Sequence, residues 1–136
     1  IGVKVDITGV ERTVMFKKLY GDYDYGAALR TYDTGGDPAV GVARLYTTDS
    51  IDPSRRFNNA SQYSNPEVDA LFIKGRDAST VEERGKYYGE AAQILAKDLP
   101  VLNYHERAYI SARNSRVKNV DLTGYFLWWD QVWVSE

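Results

Sequence analysis

The chain contains no cysteine, and only one of its 136 residues is histidine. The lack of cysteine excludes disulfides, thiolate metal sites and thiol nucleophiles. It leaves the redox compartment open, since cytosolic and periplasmic proteins alike can lack cysteine. A lone histidine, His105, builds no multi-histidine metal site, and in a charged turn a solvated role is the usual one. The net charge of -2 offers no basic field for nucleic acid and no polybasic membrane patch. No apolar run approaches the roughly 20 residues that a membrane-spanning helix needs. The length suits one domain with a real core. Eleven tyrosines and three tryptophans stand out. Their apolar bodies and polar tips suit ligand clefts and interfaces, although ordinary core and surface packing accounts for most such residues.

The periodicities predict a mixed α/β chain. Ile1, Val3, Val5 and Ile7 alternate with polar or small residues, which predicts a half-buried strand over 1–8. Phe16, Leu19 and Tyr20 share a helical face over 13–20, and Gly21 stops it. Residues 25–32 are strand-like again, so strand, helix and strand suggest a βαβ unit with parallel strands. Gly35-Gly36 breaks the pattern. Ala39 to Tyr46 reads as a short helix and 47–62 as loop. Asn65 is placed to cap a helix over 66–76. Pro66 fits its first turn, and Glu67 and Asp69 sit at the positive end of the dipole. Thr80 and Glu83 have capping-box spacing at the start of a helix over 80–97, which Pro100 ends. Further strands are predicted at 101–105 and 108–113. Tyr125 to Trp129 is apolar on both faces of any strand and demands a cover. There is no internal repeat and no low-complexity stretch. The first residue is not Met and already falls inside a strand pattern, so the sequence reads as part of a longer protein, with a small complete protein trimmed at its start as the alternative.

Enzymatic readings find little support. Gly35-Gly36 follows a predicted strand, yet it lacks both the Lys-Ser/Thr ending and the spacing of nucleotide loops. Asp33 and Asp37 could be imagined as an acid–base pair for glycoside cleavage, but aspartates beside a double glycine are more simply turn formers. A pocket joining His105 to Asp33 or Asp37 would be needed for catalysis. Ligand binding suits the stretch better. Arg30, Tyr32, Asp33 and Thr34 end a predicted strand, where ligands gather in α/β layers, and Gly35-Gly36 allows close backbone approach.

The run Gln62-Tyr63-Ser64-Asn65-Pro66-Glu67-Val68-Asp69-Ala70-Leu71, then a capped amphipathic helix, then Leu99-Pro100-Val101, closely resembles the C-terminal lobe of the bacterial extracellular solute-binding proteins of family 5. These are the peptide-, nickel- and opine-type receptors of ABC importers, and the resemblance runs over almost the whole chain. It implies an α/β fold: one lobe of a two-lobed, type II periplasmic-binding-protein-like architecture, with a mixed sheet flanked by helices. Residues 1–116 would be part of the C-terminal lobe, and residues 117–136 a tail returning toward the first lobe. It implies binding without catalysis, cofactor or metal. The solute, a peptide, an opine or a sugar, would be captured between the lobes by hinge closure and passed to the permease subunits. The implied location is periplasmic or extracellular, tied to the membrane through the transporter or a lipid anchor. No nucleic acid is implied as a partner.

In the family the matching strand commonly ends in a Trp-rich segment before an acidic loop and an Asp-Pro or Glu-Pro pair, here Asp37-Pro38. In peptide-binding members an aspartate in this loop holds the peptide's α-amino group. Here Asp33 is nearest, Thr34 takes the strict equivalent position, and Thr31 or Tyr32 replaces the usual Trp. Peptides, opines and sugars therefore all stay open. The implied ligand-binding residues are Arg30, Tyr32, Asp33, Thr34 and Asp37. If the first lobe is what covers the tail, Tyr125, Phe126, Leu127, Trp128, Trp129 and Trp133 would otherwise support weak self-association. The same lobe could also serve as the ligand-sensing domain of a transcriptional regulator.

Overall fold

The computed structural model describes residues 2–106, 108, 110, 112–120 and 129–136. The chain divides into two compact units, Ile1–Leu102 and Asn103–Glu136. In chain order the elements are α1 (Arg12–Phe16), continued by a π-helical turn over Lys17–Gly21; α2 (Pro38–Gly41); α3 (Pro66–Asp77); α4 (Val81–Asp98); and the short strands β1 (Val117–Lys118) and β2 (Trp133–Val134). Short 3₁₀ turns cover Ala43–Leu45, Thr48–Ser50 and Trp129–Gln131.

The helices follow their local signals. Asn65 caps α3 by accepting from the Glu67 N–H at 3.0 Å, with Pro66 next to it. Thr80 Oγ1 accepts from the Glu83 N–H at 3.2 Å, the backbone-directed half of the capping box. α4 ends before Pro100, with Leu99 in the left-handed region at φ 49°. Asp98 stands at the negative end of the α4 dipole. It is held there by Tyr63 Oη, which donates at 2.6 Å, and by Asn65 Nδ2 at 3.3 Å, so the end of α4 is tied to the start of α3.

α3 and α4 pack as a hairpin. Val68, Leu71 and Phe72 face Ala91, and Leu45 and Tyr46 complete this core. Burying each large side chain contributes about 1.5–3 kcal/mol. Tyr88 lies against Phe72 with ring centroids 6.0 Å apart, and it passes directly over Gly75, where a Cβ would strike the ring. A second, smaller core gathers Phe16, Leu19, Tyr20 and Ala60, with Phe57 edge-on to Phe16 at 5.3 Å. Between the two cores sits Asn59, 1% exposed. Its Nδ2 donates to the carbonyls of Tyr63 (2.8 Å) and Thr47 (3.1 Å). Its Oδ1 accepts from Ser61 Oγ (2.9 Å) and the Tyr63 N–H (3.3 Å).

The predicted strands are where sequence and structure part. The described residues of 1–8, 25–32, 101–105 and 108–113 form no strand, so the βαβ unit and the mixed sheet flanked by helices are not formed among the described residues. Residues 1, 107, 109 and 111 of those segments lie outside the described residues. The only described sheet is the antiparallel pair of β1 and β2, with Val117 opposite Val134 and Lys118 opposite Trp133. The physical reason is that a strand is half of a ladder. Alternation sets which side chains share a face, but the N–H and C=O groups need a neighbouring strand. Here Val3 is 70% exposed, Val5 72% and Ile7 91%, so the alternation meets no partner strand among the described residues. The predicted helix Ala39 to Tyr46 appears instead as α2 followed by the turn Ala43–Leu45, with Leu45 and Tyr46 buried. Tyr125, Phe126, Leu127 and Trp128 lie outside the described residues, while Trp133 is 56% exposed in β2.

Candidate functional site

The five residues singled out in the sequence lie on one stretch between the two cores. Arg30 is half-buried. Its guanidinium carbon stands 4.5 Å from the ring centre of Phe57, 4.6 Å from Phe16, and 5.3 Å from both Tyr20 and Tyr32. This is an aromatic cage around a cation, favourable because each ring presents its negative face. Nη1 of Arg30 is buried and has no hydrogen-bond partner among the described residues. Tyr32 accepts a hydrogen bond from Tyr20 Oη at 3.0 Å and packs against the α3–α4 core. Burial, and after it the bond to Tyr32, pushes the Tyr20 phenol well above its usual range. Tyr25 reaches across to donate to the Ala60 carbonyl.

Asp33 and Thr34 are exposed. The Asp33 carbonyl accepts from Arg44 Nη2 at 2.9 Å, and Asp33 is further engaged in its own right. The Thr34 backbone lies so close to Gly41 that no Cβ would fit there. Asp37 carries structural bonds on both carboxylate oxygens. Oδ1 caps α2 by accepting from the Ala39 N–H at 2.8 Å, and Oδ2 receives Arg84 Nη2 at 2.6 Å. The fold thus brings Arg30 and Tyr32 together in one aromatic cluster, leaves Asp33 and Thr34 at the surface beside them, and uses Asp37 as a strut between α2 and α4.

Sequence reasoning missed Arg44. Its Nη1 donates to the Phe57 carbonyl (3.0 Å), Nη2 to Asp33 and Nε to the Gly41 carbonyl (3.2 Å), so one side chain holds the loop, α2 and the 57–60 segment together. It also missed Phe16 and Phe57 as the walls of the cage. No local signal marks Arg44, because two of its three acceptors, the Phe57 and Asp33 carbonyls, are more than ten residues away in sequence. Phe57 adopts φ 66°, unusual for a bulky residue, and the Arg44 bond to its carbonyl helps hold it there. A groove of about 550 Å³ opens on the far side of Arg44, lined by Ala43, Thr48, Asp69, Phe72 and Arg76 among others. Asp69 already accepts from the Thr48 N–H (2.9 Å) and Oγ1 (2.6 Å) there. Among the described residues no cluster of three or more His, Asp or Glu could hold a metal ion, and no helix is long and apolar enough to cross a membrane.

The chain is similar to bacterial periplasmic proteins of transport systems. It is 27% identical over 125 residues to the peptide transport periplasmic protein SapA of Haemophilus influenzae, a match covering 91% of this chain and 22% of that protein. It is 27% identical over 126 residues to SapA of Salmonella typhimurium, with 92% and 22% covered. A shorter match, 39% identical over 54 residues, is to the periplasmic oligopeptide-binding protein OppA of Haemophilus influenzae, with 38% of the chain and 10% of that protein covered. The chain therefore spans about a fifth of the length of the SapA proteins it matches. No family profile and no solved structure matches it.

Proposed function

We propose that the chain forms part of the C-terminal lobe of a periplasmic solute-binding protein of the family-5 type, which captures a peptide between two lobes and delivers it to the permease of an ABC importer. The observation that carries this reading is the similarity to SapA along nine-tenths of the chain. Peptide is favoured over opine or sugar because the relatives are named for peptide or oligopeptide transport. In this reading Tyr32, Asp33 and Thr34 face the cleft, Arg30 stands behind them in its cage, and Asp37 fixes the loop's far end through Arg84. Residues 1–116 belong to the lobe. Residues 117–136 return toward the first lobe, which covers Tyr125 to Trp129 and Trp133 and would otherwise leave them to weak self-association. The exposed, unpaired segments bearing Val3, Val5, Ile7 and Leu29 then find their ladder partners in the rest of a SapA-length protein. The location is periplasmic, with attachment through the transporter or a lipid anchor. The three relatives are all periplasmic proteins, so the regulator reading gains nothing from them.

The test is a thermal-shift screen of the SapA-length protein against short peptides, opines and oligosaccharides. A bound peptide at a hundred times its Kd stabilises by about 2.7 kcal/mol and raises Tm. Asp33→Ala weakens that response while the Tm of the free protein stays put. Absence of any peptide response, or an unchanged response with a lowered free-state Tm in Asp33→Ala, removes the reading or makes the loop structural.

A further inference from the structure

The loop that carries Asp33 and Thr34 has little of its own to hold it. Residues 31–36 belong to no helix or strand, and Gly35 sits in the left-handed region at φ 65°. An exposed segment of this kind, with two glycines, ordinarily samples many backbone states, and every ligand contact made from it then costs ordering entropy. Three ties from other elements oppose that freedom. Arg44 Nη2 donates to the Asp33 carbonyl at 2.9 Å. The Thr34 backbone rests on Gly41 so closely that a Cβ there would lie 1.5 Å from the Thr34 oxygen. Arg84 Nη2 meets Asp37 Oδ2 at 2.6 Å.

Arg44 is the tie that reaches furthest. Its Nε donates to the Gly41 carbonyl (3.2 Å), which anchors the side chain on α2, and its Nη1 to the Phe57 carbonyl (3.0 Å). Phe57, at φ 66°, is a wall of the Arg30 cage, with its ring centre 4.5 Å from the guanidinium carbon. Tyr32, the residue before Asp33, belongs to the same cage. The Tyr32-Asp33 pair is thus held at both ends, its ring by the cage and its carbonyl by Arg44. All three acceptors are main-chain carbonyls reached by one rigid, planar fork. A lysine ammonium is a point charge on a flexible stem and does not reproduce that geometry.

We propose that Arg44 is the positioning residue of the solute site: it sets peptide affinity by fixing the backbone of Asp33 and Thr34, without touching the peptide. This role rests on the reading that Asp33 and Thr34 face the cleft. A loop already held in its binding conformation loses less freedom when solute arrives, so it binds more tightly than a free loop with the same side chains.

The experiment is calorimetric titration of the SapA-length protein with tri-, tetra- and penta-alanine, each with a free and with an amidated C-terminus. Arg44→Gln weakens binding of both forms equally, by about tenfold, the scale of one charge-assisted hydrogen bond. Arg44→Lys weakens it as well, since charge alone does not hold three carbonyls. Tyr63→Phe, which removes a bond to Asp98 and none to the loop, leaves both affinities unchanged even as it lowers Tm. Unaltered affinity in Arg44→Gln or Arg44→Lys overturns the proposal and leaves the receptor reading in place. A larger loss for the free acid than for the amide makes Arg44 a solute contact and overturns it. An equal loss in Tyr63→Phe marks general destabilisation and overturns it too. Arg44→Lys keeps the stem and the charge, so the test holds where Arg44→Gln folds poorly. If the unmodified protein binds no peptide, the receptor reading itself fails, and this role with it.

Discussion

At the scale of single residues, the fold depends on polar groups that the hydrophobic pattern does not mark. Asn59 makes four hydrogen bonds while almost fully buried, and it joins the Thr47, Ser61 and Tyr63 backbones and side chains at the junction of two cores. Asn59→Leu keeps the volume roughly constant but leaves two carbonyls and one N–H without partners, each worth about 1–3 kcal/mol when buried. The expected outcome is a loss of roughly 3 kcal/mol or more, read as a lower urea midpoint with unchanged slope. Tyr20 gives a second prediction. Burial and the bond to Tyr32 favour its neutral phenol, so its folded pKa lies above the unfolded value of 10.0. Its contribution to stability is complete below about pH 10 and is lost as pH rises through the folded value. Tyr20→Phe, which keeps the ring and drops the hydroxyl, should flatten the alkaline fall in stability in urea melts between pH 9 and about 11.5. Tyr25 and Tyr23, also raised by burial, retain part of that fall.

At the scale of elements, the α3–α4 hairpin is the most self-sufficient part of the chain. Its caps are local, and its core positions, Val68, Leu71, Phe72 and Ala91, recur at helical spacing. Its close approach depends on Gly75, over which Tyr88 lies. Gly75→Ala would ordinarily favour a helix by about 0.5–1 kcal/mol. Here the methyl group meets the Tyr88 ring, and overpacking of that kind costs about 1–3 kcal/mol. Net destabilisation is therefore expected. In the Tyr88→Ala background Gly75→Ala should become neutral or stabilising, and a double-mutant cycle on thermal melts measures that coupling. The segments with strand periodicity behave in the opposite way. Residues 2–8 keep their alternation but form no strand and are exposed, because a ladder cannot be closed by one strand.

At the scale of the whole molecule, the proposed receptor needs two walls, and this chain offers one. Ligand sites cover most of a small ligand's surface, which an open loop such as 30–37 cannot do alone. Calorimetry of the 136-residue chain with short peptides should therefore show no micromolar binding, and micromolar affinity would contradict the two-lobe reading.

How much could be read in advance follows from the range of the forces concerned. Asn65-Pro66, Thr80 with Glu83, and Pro100 marked α3 and α4 to within a residue or two, because capping is settled within one turn of chain. The run from Gln62 to Leu71 likewise pointed to the transport proteins that the chain resembles. Arg30 and Tyr32 read as ligand-binding residues at the end of a predicted strand, which does not form. What surrounds them was not legible, since Phe16, Tyr20 and Phe57 come from other segments and only packing brings them over one guanidinium. Asp37 reads as a ligand contact; its cap on α2 is local, and tertiary structure adds the ion pair with Arg84. Sequence by itself determined α3 and α4, their caps and the absence of thiol chemistry, all of which depend on neighbouring residues or on composition. Tertiary structure alone decided which predicted strands find partners, which charges are matched and which are left over, because those outcomes depend on groups far apart in the chain meeting in space.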